Sequence, residues 1–140
     1  MKKCGHLNRD VSRVIARMGH TDSVAIADCG LPVPEGVECI DLSISLGEPG
    51  FLRVLDTLLA DFKAERAVFA TEAKTYNPAV TARACSLAQE QIQVDFVTHE
   101  KLKELTHRAR AVIRTGEATP YANVLLYSGV IFGSAPPARP

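Results

Sequence analysis

Short apolar runs recur along this chain, an amphipathic segment separates most of them, and proline, glycine or a capping side chain marks most boundaries. Ser23-Val24-Ala25-Ile26-Ala27-Asp28 reads as a buried strand. Strand character returns at Val37–Leu42, Ala67–Ala70, Ile92–Val97, Val112-Ile113 and Val124–Tyr127. The intervening segments have helical period. Asn8 can cap a first helix, because its side-chain oxygen accepts an orphan backbone N–H. Val11, Val14, Ile15 and Met18 then share one helical face. Gly19 stands where a left-handed residue would close that helix. Pro49 is placed to open another, with Phe51, Leu52, Leu55, Leu58, Leu59 and Phe62 as its apolar face. Further helices are expected from about Pro78 to Gln91 and from Lys101 to Arg108. Pro32, Pro34 and Gly30 keep the stretch after Asp28 out of regular structure. Strands alternating with helices specify an α/β layered domain.

A chain of 140 residues suits one such domain. Its formal net charge is zero, and no Lys/Arg run is long enough to follow a phosphate backbone, so nucleic acid is not an expected partner. The longest apolar stretches fall short of the roughly 20 residues a membrane-spanning helix needs. Lys2 and Lys3 are followed by polar residues and not by an apolar signal segment, so the expected location is the cytoplasm. The four cysteines form no C-x-x-C pair, which fits free thiols in a reducing compartment. Cys4 and His6 alone are too few ligands for a metal site, and none is expected. No glycine-rich nucleotide motif occurs, and no cofactor is expected. Gly133–Pro140 holds three prolines and little apolar surface, and reads as a flexible tail.

Several residues at element ends could carry chemistry. His20 follows a helix end. By position it reads first as a histidine favoured there by the helix dipole, and second as a group that gives and takes protons near neutral pH. Asp28 ends the first strand beside a rigid loop. It reads as an Asx-turn residue or as a ligand at the carboxyl end of a strand. His99 also follows a strand end, with Thr98 as a candidate cap. Tyr121 and Asn123, in Pro120-Tyr121-Ala122-Asn123, could hold sugar hydroxyls or serve as turn residues.

Together these segments resemble the ribose pyranase and fucose mutarotase family. The resemblance rests on Met18-Gly19-His20-Thr21-Asp22, Asp28-Cys29-Gly30-Leu31-Pro32-Val33-Pro34, Ile40-Asp41-Leu42, Glu72 with Lys74, and Asn77-Pro78. It continues through Thr98-His99-Glu100, Val112–Glu117 and Pro120–Leu126, so it runs to about Phe132. Gly-Leu-Pro-x-Pro and Pro-Tyr-Ala-Asn look like the ribose branch. The resemblance implies an isomerase that interconverts the pyranose and furanose forms of free D-ribose. It makes His20 the catalytic acid/base and makes Asp28, His99, Tyr121, Ala122 and Asn123 substrate-binding. It implies no cofactor and a ring-like homo-oligomer, typically a decamer, with sites at subunit contacts. Action on another sugar such as L-fucose, or non-catalytic sugar binding, are the alternatives. Cys29 departs from the family, where a small alanine is usual, and Cys4, His6 and the tail are further departures. The expected fold is α/β, a single three-layer domain over 1–132 with a mostly parallel (mixed) central sheet flanked by helices.

Geometry adds one expectation. At about 3.3 Å per residue, the strand from Ser23 to Asp28 separates its ends by roughly 15–20 Å. His20 and Asp28 can meet one pentose only if the His20 loop folds back, or if they come from different chains.

Overall fold

The computed structural model describes residues 1–133, so the expected tail lies outside the described residues apart from Gly133. The chain opens with α1 (Arg9–Arg17), β1 (Ser23–Ala27), β2 (Glu38–Asp41), α2 (Phe51–Leu59) and β3 (Ala64–Ala70). It continues with α3 (Ala73–Tyr76), α4 (Pro78–Gln89), β4 (Gln93–Val97), α5 (His99–Thr106), β5 (Ala111–Arg114) and β6 (Val124–Ser128).

The six strands form one sheet in the order β2-β5-β1-β6-β3-β4. β1, β2 and β5 run parallel, as do β3 and β4, while β6 runs antiparallel to both its neighbours β1 and β3. The sheet is therefore mixed and mostly parallel, as expected. Side chains alternate across it. Val24, Ile26, Phe69, Ile113, Val124 and Leu126 pack on one face with apolar residues of α1, α2 and α4. Ala25, Ala27, Val68, Ala70, Val112 and Leu125 face the other way, toward Leu102 of α5 and Leu31 of the proline loop. Helices on both faces of the sheet make three layers.

Helix ends follow local chemistry. The Asn8 side chain accepts from the amides of Asp10 and Val11, Asn77 caps α4 ahead of Pro78, and Thr98 caps α5. Two details differ from expectation. Gly19 does not take the left-handed conformation, and Thr21 does, at φ 69°. The Asp22 carboxylate accepts the Gly19 amide at 2.9 Å, and Thr21 donates to the Ser128 carbonyl, so side-chain and sheet contacts close this turn in place of a glycine cap. Helix α2 begins at Phe51 with Gly50 as its cap, two residues beyond Pro49.

Candidate functional site

β1, β3, β4 and β5 end at one edge of the sheet, where the reversed β6 begins. Ligands of open α/β sheets gather at such carboxyl edges. Asp28 directly follows β1 there. Its amide donates to Asn123 Oδ1 at 2.9 Å, and its Oδ2 accepts from Asn123 Nδ2 at 3.0 Å. Its Oδ1 accepts the Gly30 amide at 2.9 Å. Asn123 is 1% exposed, so this clamp is buried and holds a partly exposed carboxylate in one orientation.

Tyr121, two residues before Asn123, has φ 57°, a left-handed conformation costing about 1–3 kcal/mol for a bulky residue. The His99 and Tyr121 rings meet edge-on with centroids 5.2 Å apart, and the Tyr76 ring packs tilted on Tyr121 at 5.7 Å. Glu72 accepts the His99 amide at 2.7 Å, while His99 Nδ1 is buried with no hydrogen-bond partner. Ala122 is fully buried between its neighbours. Among the expected sugar contacts, Asp28, His99 and Tyr121 thus reach the surface of a single chain, while Ala122 and Asn123 lie beneath it.

The residues that support this edge lie in segments that carry the family resemblance, but the sequence assigns them no site role. Asn77, 5% exposed, donates to Thr119 Oγ1 at 2.9 Å and to the Pro120 carbonyl at 2.8 Å, fixing the loop that carries Tyr121. Thr115 donates to the Ala27 carbonyl through both its amide and its hydroxyl. The Glu117 carbonyl accepts from Cys29, and its carboxylate accepts from the Phe51 amide. Asn77 before Pro78 is a legible cap, but its hold on a loop more than forty residues away has no local signal.

His20 lies at the opposite edge. Its loop does not fold back: Thr21 and Asp22 are bonded to Ser128 at the end of β6, and Arg110 pairs with Asp22 at 2.9 Å. The Gly19 amide, then the Arg110 hydrogen bond, hold the Asp22 carboxyl below the usual carboxylate range. His20 Nε2 approaches both oxygens of Glu65, at 2.9 and 3.1 Å. A groove of about 690 Å³ runs beside it, with Ile15, Met18, Phe62, Ile131 and Phe132 among its walls. Ile131 and Phe132 are largely exposed. A groove at the carboxyl edge, beside Cys29 and Gly116, is smaller at about 220 Å³.

The two edges offer complementary chemistry. One presents a fixed carboxylate, a phenol and an imidazole, a set suited to polyol hydroxyls. The other presents an imidazole able to move a proton. Cys4 is exposed, whereas His6 is buried against Ser12 and Asp61. Among the described residues no group of three or more His, Cys, Asp or Glu is placed to hold a metal.

The model of the RbsD / FucU transport protein family matches residues 1–131. The chain belongs to that family. Among RbsD/FucU relatives, a D-ribose pyranase of Chromobacterium violaceum is 64% identical, with 94% of this chain and all of the relative covered. The solved structure of Bacillus subtilis RbsD complexed with D-ribose superposes with a TM-score of 0.90 at 44% identity, covering 94% of this chain and all of that one. FucU from Bifidobacterium longum superposes at 0.75 with 21% identity, over 90% of this chain and 97% of that one, a likeness of fold.

Proposed function

We propose that this protein is a D-ribose pyranase, an isomerase that interconverts the pyranose and furanose forms of free D-ribose. The observation that carries the reading is the full-length match to a D-ribose pyranase at 64% identity. The ribose-bound relative at 44% identity and the clamped Asp28 beside Tyr121 support it. The likeness to FucU is far lower, which places ribose ahead of fucose.

The two ring forms interconvert through the open aldehyde. Opening removes a proton from the anomeric hydroxyl and delivers one to the ring oxygen, and closure through a different hydroxyl gives the other ring. The reaction needs no electron transfer. His20 moves the proton, a role that typically accelerates such steps about 10²–10⁴-fold. Asp28, His99 and Tyr121 bind hydroxyls, and Ala122 and Asn123 complete the binding segment, Asn123 by orienting Asp28. We assign this to residues 1–132 as one domain, with 133–140 as a tail.

His20 and Asp28 stand at opposite edges of one sheet, so the proposed site joins His20 of one chain to Asp28 of another. We extend this to a homodecamer with sites at subunit contacts, working in the cytoplasm, where four free thiols are at home. Saturation-transfer NMR on ribose tests the reading. The wild-type chain should accelerate exchange and His20→Ala should not, and full activity in His20→Ala would overturn its assignment. Running fucose in the same assay fixes the sugar. After dissociation and reassembly, a mixture of His20→Ala and Asp28→Ala chains should recover activity. Confirmed mixed oligomers without activity would refute the shared site.

A further inference from the structure

The fold commits two irregular features to placing one carboxylate. On β3, Ala64 is opposite Ser128 and Arg66 is opposite Tyr127, so Glu65 is an extra residue with no partner on β6. Such a bulge re-aims a side chain. Glu65 is turned to His20, whose Nε2 it meets at 2.9 and 3.1 Å. The second feature is Gly129. A Cβ at this position would lie 3.1 Å from the Glu65 Cβ, so a larger residue would press directly on the bulge. The Gly129 amide also donates to the Lys63 carbonyl at 2.8 Å, tying the end of β6 to the residues just before the bulge.

We propose that Glu65 is the positioning residue for His20 and selects the nitrogen that exchanges protons with the sugar. The inference builds on the reading of His20 as the proton carrier. A carboxylate can only accept a hydrogen bond, so Nε2 must carry the hydrogen. The partner of one ring nitrogen fixes the state of the other. In the neutral ring the lone pair therefore sits on Nδ1, which has no hydrogen-bond partner among the described residues. When Nδ1 takes the proton from the anomeric hydroxyl, the resulting imidazolium lies against the Glu65 carboxylate. When it gives the proton to the ring oxygen, the starting tautomer returns. The proton balance closes on His20, and Glu65 neither gives nor takes a proton in the cycle.

The test uses the full-length oligomer labelled with 15N-histidine, with His20→Asn to assign the His20 signals. Wild type should show His20 in the Nε2–H form without sugar, and Glu65→Ala should show a mixture of tautomers. In the exchange assay Glu65→Ala should lose about 10- to 100-fold in turnover, the size of effect known for metal-bound imidazoles that lose an orienting carboxylate. KM for ribose should stay within about twofold. Glu65→Asp, which keeps the acceptor, should recover part of the rate and the single tautomer. An unchanged tautomer in Glu65→Ala overturns the inference, whether or not His20 proves catalytic. So does a rate loss that Glu65→Asp does not relieve and that follows a lowered melting temperature. Activity surviving in His20→Ala would overturn the underlying reading and leave the tautomer result to judge Glu65 separately.

Discussion

Asn77→Ala should weaken the protein in two separable ways. The Asn77 Oδ1 accepts the Val80 amide at 3.3 Å as the cap of α4, and losing a cap costs about 1 kcal/mol. Its Nδ2 makes two bonds to the loop at Thr119 and Pro120, each worth about 1 kcal/mol net, and water can reach those acceptors once the side chain is gone. The expected loss is about 2–3 kcal/mol, or roughly 5–15 °C in melting temperature at fixed chain concentration, reduced by whatever strain the released loop relieves. The second effect concerns Tyr121. Its left-handed backbone is held by this loop, and once the loop is released the residue relaxes by about 1–3 kcal/mol. Ribose binding must then restore the strained form, so affinity should fall about tenfold for each 1.4 kcal/mol. Asn77→Ser separates the two effects, since a serine hydroxyl can still cap α4 but is too short to hold the Thr119 and Pro120 acceptors. It should melt above Asn77→Ala while sharing the weakened binding. Calorimetric melting and ribose titration on the full-length protein measure both. Loss of stability with unchanged ribose affinity in both variants would refute the argument that Asn77 holds Tyr121 ready for substrate.

Gly116→Ala would put a Cβ 2.3 Å from the Glu48 carbonyl oxygen and 2.5 Å from that of Ser45, both backbone atoms, so the loop must shift. A melting loss corresponding to about 1–3 kcal/mol is expected, with weaker ribose binding because Glu117 and Cys29 move with the loop. Burial, with help from the Lys2 charge, holds the His6 imidazole below its ordinary value of 6.5 against the opposing pull of Asp61. The unfolded chain therefore binds more protons just below that pH, and stability present above it is lost as pH falls through it. His6→Val should flatten the decline in melting temperature between about pH 7.5 and about pH 5.5, and an equal decline in both proteins would refute the assignment.

The layered fold was legible because alternation of strand and helix patterns is a local signal, and the caps Asn8, Asn77 and Thr98 are local too. Asp28, His99 and Tyr121 could be singled out because each stands where a strand ends or is about to begin. What pins them is not local. The Asn123 clamp on Asp28 joins positions far apart in sequence, and Glu65 falls before the strand expected at Ala67–Ala70, its turn toward His20 set by the register of β3 against β6. Gly19 was misplaced for the same reason: a contact with the end of β6, distant in sequence, moved the left-handed residue to Thr21.

The reversed strand β6 has a consequence for assembly. It begins at Val124, next to Asn123 at the edge proposed to bind sugar, and ends at Ser128, next to Gly129 and near His20 and Glu65. Under the proposed shared site, the His20 end and the Asp28 end of one chain are therefore different surfaces at opposite ends of the sheet. A contact that joins one kind to the other is heterologous, so it repeats head to tail until a ring closes. On the proposed arrangement every chain in a closed ring would complete one site. An open arc has one complete site fewer than it has chains, and a chain released on dilution has none, so rate per chain should fall as rings open.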